Sequence, residues 1–349
     1  MLRAIAVEKL LVRCLLLGGL SLILYIGFFW VVNRSHRAVS INSQGEHSVA
    51  ILATEHLTVT TWNVGYGALG AESDFVADGG KNLLPPSRQV VDKNIAGIAR
   101  ELNGVTSDVV ILQEVAGPSI LNRGGDPIRA IDDAFGERDN AFSEDFSLRF
   151  APPPFAPKHG LYSSLRVSRA TREIVKLPLE PGYMLGVAKR RYHLHVVRIP
   201  FSEGEWTIIN LHLSAFDDGA DVRRRQLRAV LNFAVEEFSQ GRHVVIGGDW
   251  NLEFVRPVRP STTGDEDLFW IHPFPVEELA AGWRIAVDEK TPSVRTNERP
   301  YRRGENFTTV IDGFVVSPNV VVESVETRDT DFQFTDHQAV TLNIRALAE

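Results

Sequence analysis

Polar residues gather where apolar runs end. Asn63 closes TTWN, Glu114 closes ILQE, and His212 sits in INLHL. Asp249 and Asn251 follow two glycines in VIGGDWN, Asp312 interrupts TVIDGFVVS, and Asp336 and His337 close FTDH. Singly, each has an ordinary use as a turn former, a cap, a loop carboxylate or a satisfied core histidine. Together they suggest chemistry, because adjacent strands bring their ends into one cleft. Phosphate-ester hydrolysis needs a cation on the phosphoryl oxygens, a base for water, and donors for the charge that develops. Hard Mg²⁺, with Mn²⁺ as a substitute, takes a carboxylate, an amide oxygen and waters, which Glu114 and Asn63 would supply. A histidine held in one tautomer by a buried carboxylate adds a base or a donor. Strand alternation predicts that Asp249 and Asn251 point the same way. The two glycines before them leave room for something to approach the backbone.

The elements that must position these residues follow from periodicity. Strands are predicted over Leu57–Trp62, Asp108–Gln113, Tyr192–Ile199, Trp206–Leu213, His243–Gly248, Phe307–Val316, Val320–Val325 and Gln338–Ile344. Val91, Ile95, Ile98 and Leu102 share one face of a helix over 87–103. Asp126-Pro127 reads as a cap and first residue of a second helix. A third covers Asp221–Ser239, with Gly241 just past its end. Pro152 to Pro154 marks a loop. Many strands in mixed order with few helices indicate two packed sheets flanked by helices.

Composition bounds the function. A hydrophobic fraction of 44% and a charged fraction of 23% supply a large globular core. The net charge of −7 argues against a general polyanion binder. Residues 151–200 depart from it, with nine Lys or Arg against two Glu, either as a solvated face or as a rim receiving phosphate. The lone Cys14 excludes an intramolecular disulfide and a cysteine-built metal site. Cys14–Val32 runs 19 residues without a charge, long enough to span a bilayer. Arg3, Lys9 and Arg13 before it lean toward a cytoplasmic N-terminus over residues 1–13. The expected order is then a transmembrane signal anchor over 14–32, a tether over 33–56 and an extracytoplasmic catalytic domain over 57–349. Ala38-Val-Ser40 is the cleavage motif of the alternative, a secreted protein freed from its signal peptide.

In order, WN, QE, HL, GDxN, IDxxxVS and DH resemble the endonuclease/exonuclease/phosphatase superfamily across roughly residues 57–345. Its branches include deoxyribonuclease I, neutral sphingomyelinases and inositol-polyphosphate 5-phosphatases. The resemblance implies a four-layer α/β sandwich with its site at one edge of the paired sheets. It implies that Glu114 is the principal Mg²⁺ ligand, beside Asn63, with Asp336 a further metal-side carboxylate. By the same resemblance Asp249 orients or deprotonates water, Asn251 faces the phosphate, and Asp312 orients His337. His212 resembles a histidine of the deoxyribonuclease I, sphingomyelinase and phosphatase branches, the segment HLSAFDDGADVRRRQL resembles the sphingomyelinase-like branch, and KHGLYSS at 158–164 resembles the family's glycine-to-serine strand. Thr335 replaces the usual serine before Asp-His. The insertion 65–81 and the loop 291–301 are not assigned by the resemblance. Ser293, Arg295 and Tyr301 in that loop are candidate substrate contacts, and Gly65 and Gly67 could bring backbone toward a phosphate. A phosphate-bearing substrate is implied. A lipid headgroup or small phosphoester is favoured over DNA or RNA, since no aromatic platform accompanies the basic stretch. The competing reading from another class is a catalytically silent binding module.

Overall fold

The computed structural model describes residues 2–35, 40–43, 51–152, 155–179, 189–215 and 219–347. Residues 38–39 of the small-residue motif, 153–154 of the proline run and 216–218 of FDDG lie outside the described residues. The helices are α1 (Leu2–Ser35), α2 (Arg88–Asn103), α3 (Pro127–Phe135) and α4 (Asp221–Ser239). The first strands are β1 (Ile41–Ser43), β2 (His56–Asn63), β3 (Val109–Ala116), β4 (Asp139–Ser147) and β5 (Lys158–Leu165). Next come β6 (Thr171–Lys176), β7 (His193–Phe201), β8 (Gly204–His212), β9 (His243–Asp249) and β10 (Arg284–Ala286). The last are β11 (Val294–Arg295), β12 (Thr308–Thr309), β13 (Asp312–Val316), β14 (Val320–Thr327) and β15 (Val340–Ala346).

Two mixed sheets face each other, in orders β1-β4-β5-β3-β2-β15-β14 and β10-β13-β9-β8-β7-β6. Val59, Ile111, Ile208, Val245 and Phe314 fill the layer between them. Ile98 and Leu102 of α2 and Ile131 and Phe135 of α3 cover the outer face of the first sheet. Leu227, Val230 and Ala234 of α4 cover the second. The result is the two packed sheets flanked by helices expected from the pattern, and the four-layer sandwich that the resemblance implies. Each sheet has one parallel pair, β2–β3 joined across α2 and β8–β9 joined across α4. Parallel pairing needs such a crossover, and it carries both strands' C-terminal ends to the same edge. Asn63, Glu114, His212 and Asp249 all lie at these ends.

Local signals hold where a side chain enforces them. Ser87 Oγ accepts the Val90 N–H at the start of α2, and the Asp126 carboxylate accepts that of Arg129 ahead of Pro127. The single strand expected over Phe307–Val316 is instead two. The Val310 and Ile311 carbonyls between β12 and β13 accept the N–H groups of Phe254 and Trp250, so the ladder breaks there. Within the stretch read as a tether, β1 pairs with β4 as an outer strand. Lys9–Arg34 of α1 is 26 residues long, apolar and unburied, sufficient to cross a membrane. Its C-terminal turns touch the β4–β5 hairpin. Tyr25 Oη donates to Phe150 O at 2.5 Å, and Asn33 exchanges hydrogen bonds with the Arg149 backbone at 2.7 and 3.0 Å.

Candidate active site

Strand register places three of the expected residues in one row. His212 is the partner of Asp249 across β8–β9, and Asp249 is the partner of Asp312 across β9–β13. Residues directly opposite share a face, so the three side chains project together. Asp249 Oδ2 is the focus. Asn63 Nδ2 from the other sheet donates to it at 2.9 Å, with His212 Nε2 at 3.4 Å and His337 Nε2 at 3.7 Å. On its far side, His337 Nδ1 lies 2.8 Å from Asp312 Oδ2. Trp62 Nε1 donates to the His337 carbonyl at 3.1 Å and fixes the backbone there.

Asn251 arrives by a different route from the expected alternation. β9 stops at Asp249, and Asn251 takes a left-handed φ of 49°. Its N–H donates to Asp249 Oδ1 and its Nδ2 to Leu213 O, both at 2.9 Å. Buried Arg223 of α4 ties the turn from behind, donating to the carbonyls of Asn251 and Trp270. The glycines also serve another end than expected. Gly248 has φ 144°, and a Cβ there would sit 2.1 Å from Leu211 O. The close neighbour is the backbone of β8.

Glu114 owes its position to a bulge. Val110 and Leu112 face the helices, while Val109 and Ile111 face the other sheet. Simple alternation would send Glu114 under α2 and α3. Instead the β3–β5 register slips between Leu112 and Val115, and Glu114 adopts φ 55°. Val115 then recovers the helix-facing position. Glu114 is the extra residue, turned out at the sheet edge. Strained backbone of this kind clusters at functional sites. Tyr66 has φ 56° and donates its hydroxyl to Glu114 Oε1 at 2.8 Å.

Burial and neighbouring charge set the protonation states. Burial pushes the Glu114 carboxyl up to about 8, against the pull of Arg190. Burial pushes Asp312 up to about 6, with His337 holding it down. For His337, burial disfavours the charge, but Asp312 and Asp249 prevail and raise it well above the ordinary histidine value. Burial and Arg190 push His212 down to about 3, so it is the neutral partner. Burial opposes the charge on Asp249, yet the imidazoles of His212 and His337 and the Asn63 amide hold it below the usual carboxylate range. Of those imidazoles, His337 carries the charge. Arg190 Nη2 lies 2.9 Å from His212 Nδ1. Guanidinium only donates, so Nδ1 accepts and the His212 proton sits on Nε2, toward Asp249.

Several site groups carry no strand-end signal. Tyr66 and Asp78 come from the insertion 65–81, and Asn297 from the loop 291–301; all three line the cleft. The two segments are joined by Phe75 N–H to Asn297 O at 2.8 Å. Asn297 Nδ2 donates to Asp78 Oδ2 at 2.9 Å and Asp336 Oδ2 at 2.6 Å. Gly65, at φ 50°, leaves Asp336 Oδ1 the space that a Cβ would enter. Arg190 is held by Asp145 at 2.8 Å, and Asp145 also meets His159 at 2.7 Å. Ser293 Oγ accepts the N–H groups of Ile311 and Asp312 beneath the site. Arg295 lines the cleft while donating to the carbonyls of Thr296 and Gly70. Tyr301 packs on Phe332 and borders a different cavity. In the basic stretch, Arg172, Arg191 and Arg198 pair with Asp139, Glu144 and Glu237. Arg190 alone of these four turns into the cleft.

The donor chemistry fits a hard divalent cation. Asn63, Glu114 and Asp336 line one cleft, and Glu114 is a buried carboxylate whose hydrogen-bond donor is a neutral phenol. Donor atoms of Asp249, Asp312 and His337 also lie within 4.8 Å of one another. There, Asp312 Oδ2 is paired with His337 Nδ1 at 2.8 Å, while the buried Asp312 Oδ1 has no hydrogen-bond partner among the described residues.

This architecture is the endonuclease/exonuclease/phosphatase fold, as the ordered motifs led one to expect. No family model and no curated protein matches the sequence. Among solved structures, an endonuclease/exonuclease/phosphatase from Beutenbergia cavernae is 20% identical, with a TM-score of 0.53, covering 83% of this chain and 72% of that one. A humanized D. rerio TDP2 is 17% identical, with a TM-score of 0.53 over 84% of this chain and 100% of that one. An endonuclease/exonuclease/phosphatase from Bacteroides vulgatus is 14% identical, with a TM-score of 0.50 over 83% and 99%.

Proposed function

We propose that this protein is a divalent-metal-dependent phosphoester hydrolase, anchored in a membrane by α1, with its catalytic domain outside the cytoplasm. The observation that carries the reading is the convergence of Asn63, His212 and His337 on Asp249 Oδ2, beside the buried Glu114. Glu114, Asn63 and Asp336 would hold Mg²⁺ or Mn²⁺. When bound, that cation would neutralise phosphoryl oxygens. Asp249, kept ionised by its donors, takes the proton of the attacking water. Asn251 fixes Asp249 through its backbone N–H. His337, oriented by Asp312, offers Nε2–H to a phosphoryl oxygen, and His212 offers a second Nε2–H whose tautomer Arg190 sets.

Substrate class follows from the cations. Four of the six arginines of the basic stretch, Arg172, Arg190, Arg191 and Arg198, are engaged with carboxylates, which supports a lipid headgroup or small phosphoester over a long polyanion. The nucleic-acid reading has one observation in its favour: a similar structure is D. rerio TDP2 complexed with a single-strand DNA product.

The test is hydrolysis by the full chain in detergent micelles, with Mg²⁺ or with excess chelator. The substrates are sphingomyelin, inositol phosphates, an aryl phosphodiester and single- and double-stranded DNA. Metal-dependent cleavage of the lipid or small esters is expected. Faster cleavage of DNA would favour the nuclease reading. Inactivity on every substrate by folded protein would leave the silent binding module.

A further inference from the structure

The hairpin tip between β4 and β5 reads LRFAPPPFAP over 148–157, without an acidic residue and with three consecutive prolines. Phe150 is 62% exposed and Phe155 56%. Two exposed aromatic rings on one tip make an apolar surface of the kind that marks an interaction site. Phe28 of α1 packs its ring 5.2 Å from that of Phe150, and Tyr25 bonds the Phe150 carbonyl. Tyr25 precedes Arg34, where the apolar stretch ends, by nine residues, or roughly 13 Å of helix. A 26-residue helix is about 39 Å long, against about 30 Å of hydrocarbon, so Tyr25 lies below the hydrocarbon boundary.

We infer that Phe150 and Phe155, at the described parts of this tip, sit in the membrane interface, as a second contact beside α1. The inference rests on the reading that α1 spans the bilayer. Irregular backbone survives at membrane depth only where its polar groups are satisfied by protein. Here α1 satisfies three of them: Asn33 takes both the N–H and the carbonyl of Arg149, and Tyr25 takes the carbonyl of Phe150. The prolines bring no N–H at all, and the Phe155 N–H is held by Pro152 O at 2.7 Å. Arg149 and Lys158 flank the aromatic residues, suited to lipid phosphates.

The position of the tip also bears on the substrate. Ser147 pairs with Lys158 at the hairpin, and Ala116 at the end of β3 pairs with His159. The tip therefore leaves the sheet at the edge that holds Asn63 and Glu114. A membrane holding the tip faces the catalytic edge, which directs the site to phosphoesters borne on that membrane, the headgroups of lipids.

Single-cysteine spin labels test this in full-length chain reconstituted in vesicles of phosphatidylcholine and phosphatidylglycerol. One label sits on native Cys14. The others, in Cys14→Ser chains, sit at Phe150→Cys and at Val258→Cys, a fully exposed position. Collision with oxygen should exceed collision with a water-soluble nickel chelate at residues 14 and 150, at least fivefold over their ratio at 258. A label at 150 that matches 258 while Cys14 stays shielded would overturn the inference and leave the spanning helix standing. A water-exposed Cys14 label would instead overturn the spanning reading itself.

Discussion

Asp312 and His337 should behave as one group, because the proton of His337 is useful only on the nitrogen that Asp312 leaves it. His337→Ala and Asp312→Ala should each lower kcat by a factor on the order of 10² or more. The double mutant should be little worse than His337→Ala alone; losses that multiply, with the fold intact by circular dichroism, would show separate roles. Glu114→Gln should weaken Mn²⁺ binding, read by electron paramagnetic resonance, and raise the Mg²⁺ needed for turnover. Unchanged activity in excess chelator would end the metal scheme. The residues in these predictions were legible in the sequence because a polar side chain closing an apolar run is a conspicuous anomaly. Arg190 was not legible: it stands in a run of basic residues, and its partner Asp145 is 45 positions away. Tyr66, Asp78 and Asn297 belong to loops whose course no periodicity describes.

Among the elements, α2 and α4 were legible because each buries one face with the helical period, and β3 and β9 because each is a short apolar run buried on both faces. β4 was hidden, since in DNAFSEDFS the buried Ser143 and Asp145 serve hydrogen bonds, to His195 and His193 and to Arg190. Two element-level outcomes follow. Gly248→Ala should cost about 3 kcal/mol or more, because a Cβ meets the β8 carbonyl and φ is unsuited to alanine; a wild-type urea midpoint would refute it. Glu237 clamps α4 to the sheet through two hydrogen bonds from Arg198, at 2.8 and 2.9 Å. Burial alone would raise its pKa, but those bonds win and lower it. A depressed carboxylate stabilises the fold above its unfolded value and loses that contribution as pH falls through the folded one. Glu237→Gln should therefore cost about 2 kcal/mol at neutral pH and progressively less in acid. A deficit that ignores pH would assign the loss to packing.

At the scale of the whole molecule, one apolar helix and one four-layer domain meet at a hairpin tip, and topology decides what the site can reach. Protease added to intact cells should digest the domain; protection until the membrane is permeabilised would reverse the proposed orientation. Sequence carried the helix plainly, as an uncharged run, but not its contact with residues 149–150, which depends on how the tip folds back. The bulge at Glu114 has a consequence for descent. Without that residue, Leu112, Gln113 and Val115 would alternate between helix layer and sheet interface as an unbroken strand. Loss of that single codon should therefore restore an unbroken β3–β5 register and leave the core filled. A lineage could lose the Glu114 carboxylate in one in-frame deletion and keep a folded domain for selection to reuse.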